Sequence, residues 1–404
     1  TPTPTPSIAE KRAHADALHK EAVALYEQKD LEGAVDRYGQ ALLIYAGLGD
    51  QRKDAVLSND LAIVVVELGL PQRALSFYQR ALDIWRRLGD MSAEATTLSN
   101  MAMAQVALMA PDEAVALYMQ ASAAYAAAGG TVRAAAALRD AGNVRYDQAR
   151  YADARALHQQ ALDLFTAAGD QKGQALTLWK MALAAGAAGE QGTELDDYTR
   201  SLTIFRAIGD TARERTTLAL MASVRQCQGE WLKALELWQQ VRGMDQKSGR
   251  RDDEALSTYS MALIYGNLGQ NARAREAYAH SLALHRALGN RQSEAFVLAN
   301  LATAFSQAGD YDTAIANLQD ALAIRRELSE RTVEGELLNA LGQTYAAKGA
   351  LDDAQASYEQ ALAIDRAVGN QAEEGAVLFN IGLVHFQRGD YATAIAYFER
   401  SLPL

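Results

Sequence analysis

The chain has 404 residues, of which 49% are hydrophobic, and 39 Lys and Arg residues against 50 Asp and Glu residues give a net charge of −11. This acidic balance argues against nucleic acid as a partner, because binding to a phosphate backbone depends on clustered Lys and Arg. No apolar run approaches the length of a membrane span, so we expect no membrane segment. The single cysteine, Cys227, excludes an intramolecular disulfide and a cysteine metal cluster. Such low cysteine use fits the cytoplasm, where we expect the protein.

The first residues of the chain alternate Thr and Pro. This alternation predicts a stiff, extended segment, and we assign residues 1–10 to a Thr/Pro linker and an N-terminal lead-in. Glycines then recur every 40 residues from Gly49 to Gly369, with Ser329 at the one missed step. So strict a period predicts an array of stacked repeats in place of separate globular domains. We assign the array to residues 11–404, with units that begin near residues 11, 51, 91, 131, 171, 211, 251, 291, 331 and 371.

Each unit carries two helical patterns. The first pattern ends at a glycine, such as Gly69 or Gly389, which supplies a left-handed cap. The second begins shortly afterwards, where Pro71 fits a first helical position and Asp390 fits an N-cap. Apolar or small residues then recur at a helical spacing. In the second unit these are Ala74, Tyr78, Ala81 and Leu82.

The last unit shows a family pattern most completely. Its two helices carry Leu378, Ile381, Gly382, Gly389, Asp390, Tyr391, Ala394 and Phe398. With these residues the unit resembles the tetratricopeptide repeat, and the 40-residue period is similar to the long-helix subclass of kinesin light chain and the Pins family. The resemblance implies an all-α fold, a right-handed α-solenoid superhelix of about ten helix-turn-helix repeats. It also implies a protein- or peptide-binding scaffold whose concave groove is lined by the first helices.

Polar candidates for the groove come from the asparagine ladder that this subclass uses to clamp a peptide backbone. An amide suits that task because it offers both a donor and an acceptor. Asn100, Asn300 and Asn380 match the family's Asn-Leu-Gly/Ala pattern, and Asp60 and Asp140 occupy the same step. The second asparagine of the longer pattern is present as Asn143. Other residues break the ladder at Lys20, Lys180, Leu220, Ser260 and Ala340.

Apolar candidates on the same helices are Trp179, Tyr259, Phe296, Phe379 and Phe386. They predict a groove that binds an apolar or amphipathic segment. The alternative is that the longer helices rotate these positions into the core. Basic residues at groove positions are scarce, with Arg139 as one example, so a grip on a C-terminal carboxylate is not supported.

Catalytic and metal-binding patterns are missing from the sequence, which lacks HExxH, a P-loop and Gly-x-Ser-x-Gly. We therefore expect a non-catalytic scaffold without cofactor or metal. Two alternatives are open: a regulatory or sensor module of a larger signalling enzyme or transcription regulator, and a self-assembling scaffold. The second would use the last face of the array, which lacks a polar capping helix, to form an end-to-end homo-oligomer.

Overall fold

The computed structural model describes residues 6–402, and most of the Thr/Pro linker and the last two residues lie outside this range. Twenty α-helices and no strands make up the described part of the chain. The predicted all-α class and its helix-turn-helix repeats are therefore confirmed. The first helix begins at Ile8, so the lead-in that we assigned to residues 1–10 overlaps it.

Helices alternate between the first and second position of a repeat. The first helices are α1 (Ile8–Glu27), α3 (Gln51–Glu67), α5 (Met91–Ala107), α7 (Thr131–Asp147), α9 (Gln171–Ala187), α11 (Thr211–Cys227), α13 (Arg251–Asn267), α15 (Arg291–Gln307), α17 (Arg331–Lys348) and α19 (Gln371–Gln387). The second helices are α2 (Leu31–Gly47), α4 (Pro71–Leu88), α6 (Pro111–Ala127), α8 (Tyr151–Ala167), α10 (Gln191–Ala207), α12 (Trp231–Ser248), α14 (Asn271–Leu288), α16 (Tyr311–Glu327), α18 (Leu351–Val368) and α20 (Tyr391–Ser401). Two compact units follow one another, the first ending at Thr217 and the second beginning at Leu218. Successive helices pack against one another from α1 to α10 in the first unit and from α12 to α20 in the second.

The turns between helices explain the glycine period. Gly49 and its equivalents up to Gly389 adopt positive φ angles, a conformation in which a β-carbon is unfavourable. Ser329 takes the same conformation at the missed step, with φ 59°. The following helix is then capped by a side chain, as where Asp390 Oδ1 accepts a hydrogen bond of 3.3 Å from the Thr393 amide. Pro71 begins α4, where the missing N–H is harmless.

A small residue on the first helix of a repeat receives a ring from the second helix. A methyl group on Gly342 would lie 2.6 Å from Tyr358, and one on Gly382 would lie 2.6 Å from Phe398. At the equivalent place, the ring of His158 covers Gly142. Glycine therefore lets the two helices of these repeats approach closely.

Ion pairs join successive repeats at one recurring place. An arginine near the end of a second helix donates to a glutamate in the first turn of the next helix, with N–O distances of 2.7–2.8 Å. The pairs are Arg86–Glu94, Arg206–Glu214, Arg286–Glu294, Arg326–Glu334 and Arg366–Glu374. These glutamates thus bind a neighbouring side chain as well as lying near a positive helix end.

One buried position near the end of the second helix changes character along the chain. In the first unit it holds Tyr45, Trp85, Tyr125, Phe165 and Phe205. In the second unit it holds Asp245, His285, Arg325 and Asp365. Asp365 is 1% exposed, and within the described residues neither of its carboxylate oxygens has a hydrogen-bond partner. We call these nine residues the helix-end position.

Candidate functional site

Within each unit, the first helices leave one side uncovered, which we call the A face of that unit. It is formed by residues 56, 59, 60, 63 and 66 of α3 and by the equivalent residues of the other first helices. Phe296, Phe379 and Phe386 are 50%, 47% and 54% exposed on this face. Trp179 and Tyr259 are half-buried. The alternative in which the longer helices rotate these side chains into the core is therefore wrong for the three phenylalanines, whereas Tyr259 packs against the core.

The rings of the second unit lie in contact with one another. The centroid of Tyr259 is 5.3 Å from that of Phe296 and 5.7 Å from that of Tyr278, and burial raises the pKa of Tyr259 to about 12. The ring of Phe379 lies 5.2 Å from that of Phe398 on the adjoining helix α20. Such contacts hold the exposed rings in place while one surface of each stays open.

The asparagines of the ladder already have partners within the protein. Asn100 Nδ2 donates to Asn59 Oδ1 at 3.1 Å, and Asn380 Nδ2 donates to Asn339 Oδ1 at 2.9 Å. In both pairs the acceptor lies on the first helix of the preceding repeat. Asn300 Nδ2 instead donates to the Phe296 carbonyl of its own helix, at 2.9 Å.

The acceptors Asn59 and Asn339 were not predicted from the sequence. Each precedes its donor by 41 residues, one more than the repeat period, but this separation alone does not establish that the side chains meet. An amide can form further hydrogen bonds beyond the one observed, so the pairs orient these side chains and leave part of each free for a ligand.

The two acidic members of the ladder lie beside basic groups. Burial raises the pKa of Asp60, and His19 Nε2 lies 3.8 Å from its carboxylate. Burial also raises the pKa of Asp140, and the nearby Arg139, 3.7 Å away, opposes that change. Burial therefore disfavours the charged form of both carboxylates, and Arg139 favours the charged form of Asp140.

A cavity of about 610 Å³ opens on the A face of the first unit. We call it the basic pocket, and it is lined by Arg139, Asp140, Asn143, Leu176, Trp179, Lys180, Ala212, Arg213 and Thr216. Asn143 Oδ1 is buried there without a hydrogen-bond partner among the described residues. The ammonium of Lys180 lies 5.7 Å from the ring centroid of Trp179.

The basic pocket corrects our expectation that cations are scarce on this surface. Sequence position alone placed Arg139 there and treated Lys180 as a break in the ladder. The fold adds Arg213 from the first turn of α11, so three first helices bring one cation each to the same cavity. Asp140 and Asn143, both predicted, belong to this pocket as well.

Comparison with protein families identifies the repeat. The tetratricopeptide repeat pattern matches residues 13–87, 54–127, 253–327 and 334–404, which together cover more than half of the chain. A second pattern of the same repeat matches residues 299–366. The chain belongs to the tetratricopeptide repeat family. Comparison of this tetratricopeptide repeat protein with curated proteins gave no match.

Three solved structures are similar to parts of the chain. A signal transduction ATPase with numerous domains from Pyrococcus horikoshii, which has a tetratricopeptide repeat sensor, aligns with 94% of this chain and 53% of its own, at 13% identity and TM-score 0.50. BtubC from P. vanneervenii aligns with 53% of this chain and 90% of its own, at 22% identity and TM-score 0.47. A putative kinesin light chain from Podosopora anserina aligns with 48% of this chain and 95% of its own, at 22% identity and TM-score 0.43.

Between residues 6 and 402, no helix has both the length and the apolarity needed to cross a bilayer. Over the same range, no three His, Cys, Asp or Glu side chains are arranged to hold a metal ion.

Proposed function

We propose that the chain is a non-catalytic scaffold that binds a segment of another protein along the A face. The observation that carries the proposal is the exposure of Phe296, Phe379 and Phe386 on first helices, side by side with polar ladder residues. Large apolar side chains in such a set are typical of surfaces that bind protein segments.

An amphipathic segment would satisfy both kinds of residue. Its apolar side chains would cover the exposed rings, and its polar backbone groups would bond to the remaining donors and acceptors of Asn300 and Asn380, which lie in the same unit. The rings are already fixed by contacts with neighbours, as Tyr259 fixes Phe296, so little side-chain entropy is lost on binding.

The test uses peptides recovered from a random 12-residue display library on the full chain. Synthetic copies are titrated by fluorescence anisotropy against the native chain and against Phe296→Glu, Phe379→Glu and Trp179→Ala. We expect each peptide to bind about tenfold or more weakly to at least one variant, because truncating or charging a central aromatic removes a large share of binding energy.

Leu232→Glu is the matched control, since Leu232 is an exposed apolar residue of α12, a second helix. It should leave the affinity unchanged. Failure to recover any peptide, or loss of affinity only in Leu232→Glu, contradicts the proposal. Circular dichroism establishes that each variant is folded.

Self-association is a second candidate, and it rests on α20. Ile395 is 56% exposed there, whereas the equivalent Ile315 of α16 is 9% exposed. A second copy that covers Ile395 would bury this apolar surface. Light scattering across a concentration series should show a dimer that Ile395→Glu abolishes, and a monomer at all concentrations contradicts it.

A further inference from the structure

Among the described residues, the three cations of the basic pocket outnumber by one the carboxylates that pair with them. Arg213 Nη1 lies 2.7 Å from Asp210, and Arg139 lies 3.7 Å from Asp140, so these two cations have carboxylate partners. Lys180 has no ion-pair partner among the described residues. Three cations and two carboxylates leave one positive charge in a chain whose net charge is −11. The charge of the pocket is therefore opposite to that of the protein as a whole.

The lining places two other requirements on a ligand. Asn143 Oδ1 is a buried acceptor without a donor, and such a group is costly unless a ligand or water supplies an N–H or O–H. Trp179 and Leu176 offer an apolar wall beside the cations. A ligand that matches all three features has one negative charge, one hydrogen-bond donor and one apolar group close together.

We propose that the basic pocket binds an acidic side chain, Asp or Glu, within an extended segment of a partner protein. The carboxylate pairs with Lys180 and its neighbouring arginines, and a backbone N–H of the segment donates to Asn143 Oδ1. An apolar side chain next to the acidic residue packs on Trp179. The inference rests on the proposed function, since it names the chemistry of the segment that the A face binds.

A single carboxylate fits this pocket better than a phosphate group. A phosphorylated side chain has close to two negative charges at neutral pH, and the pocket offers one uncompensated positive charge. The cations also lie on three helices, so a ligand that spans them must present its charge at the centre of the cavity. An internal acidic residue satisfies this condition without a chain terminus.

The experiment uses the recovered 12-residue peptides whose affinity falls in Trp179→Ala. Each is synthesised with an amidated C-terminus in two forms, one native and one with its acidic residue changed to Gln or Asn. We expect the amide form to bind about tenfold more weakly, because a charge-assisted hydrogen bond is replaced by a neutral one. Lys180→Glu should produce a similar loss, and raising the salt concentration should weaken the native peptide alone.

Lys172→Glu is the matched control, because Lys172 is an exposed lysine of α9 outside the pocket. It should bind as the native chain does. A peptide with Lys in place of its acidic residue should regain affinity for Lys180→Glu, which separates a direct contact from a general effect of charge.

Three results would overturn the inference. If every recovered peptide binds Trp179→Ala as tightly as the native chain, the pocket is rejected while the scaffold proposal stands. Equal binding of the acidic and amide forms has the same consequence. Binding only of peptides with a free C-terminus rejects an internal acidic residue. Recovery of no peptide at all rejects the scaffold proposal together with the inference.

Discussion

Asn380 Nδ2 donates a hydrogen bond of 2.9 Å to Asn339 Oδ1, and this bond links α19 to α17. Since the two residues lie on first helices of successive repeats, the bond contributes to the interface between repeats. We expect Asn380→Ala to lower the free energy of unfolding by about 1 kcal/mol in urea titrations, because it removes one part-buried hydrogen bond and leaves Asn339 Oδ1 without that donor.

Asn300→Ala is the comparison for this prediction. Asn300 Nδ2 bonds to a carbonyl of its own helix, so its loss breaks no contact between repeats, and Ala has the higher helix propensity. Its effect on stability should be near zero. Equal losses in the two variants would show that the bond between Asn380 and Asn339 adds nothing.

Burial gives Asp365 a pH-dependent effect on stability. Desolvation, together with repulsion from Glu373, Glu336 and Glu374, raises the pKa of its carboxyl to about 6. The folded state therefore binds this proton more tightly than the unfolded state, whose pKa is near 3.8. The stability that the proton provides is complete below about pH 4 and is lost as the pH rises through about 6, a change of about 2–3 kcal/mol.

Asp365→Asn should remove that dependence. The variant should be more stable than the native chain at pH 7 by about 1–2 kcal/mol, and the difference should shrink toward pH 4, as measured by denaturation at several pH values. Asp353→Asn serves as the control, since Asp353 is exposed on the same helix. If the difference in stability between Asp365→Asn and the native chain were the same at pH 7 and at pH 4, the expected role of the buried charge would be contradicted.

Ala149 adopts a left-handed conformation, with φ 58°, at the turn after α7. A β-carbon costs about 1–2 kcal/mol in this region, and glycine avoids that cost. Ala149→Gly should therefore raise the melting temperature by a few degrees, after the larger backbone entropy of glycine is subtracted. Ala188, which directly follows α9 and is equivalent to Gln148, has a helical φ of −82°, so Ala188→Gly should lower the melting temperature.

Gly142 and Gly243 should respond in opposite ways to alanine. A methyl group on Gly142 would overlap the buried ring of His158, and forcing the two helices apart costs about 1–3 kcal/mol. A methyl group on Gly243, inside α12, would meet nothing within 4 Å. Gly243→Ala should stabilise the chain by about 0.5–1 kcal/mol, because alanine favours the helix. Calorimetry of the two variants measures both effects.

Local rules made most of the fold predictable. The conformation of a turn depends on the few residues that form it, so the glycines, Pro71 and the Asp390 cap could be assigned from neighbours in sequence. The helical spacing likewise placed Phe296 and Phe379 on one side of their helices, and the structure leaves both exposed.

Contacts between repeats were less predictable. Asn59 and Asn100 are separated by 41 residues, and whether they meet depends on the distance between α3 and α5 and on two side-chain rotamers. The basic pocket requires Arg139, Lys180 and Arg213 to converge from three helices. A repeat period reports which residues are equivalent, and it contains no information about which of their neighbours they touch.

The helix-end position gives the two units different responses to acidity. The first unit fills it with aromatic rings, and burial raises the pKa of Tyr45, which could ionise, to about 12. The second unit fills it with groups that include His285, whose pKa burial lowers, and Asp365, whose pKa burial raises. Acidification from neutral to mildly acidic solution consequently alters protonation at the helix-end position of residues 218–404 and leaves the aromatic residues at that position of residues 6–217 unchanged.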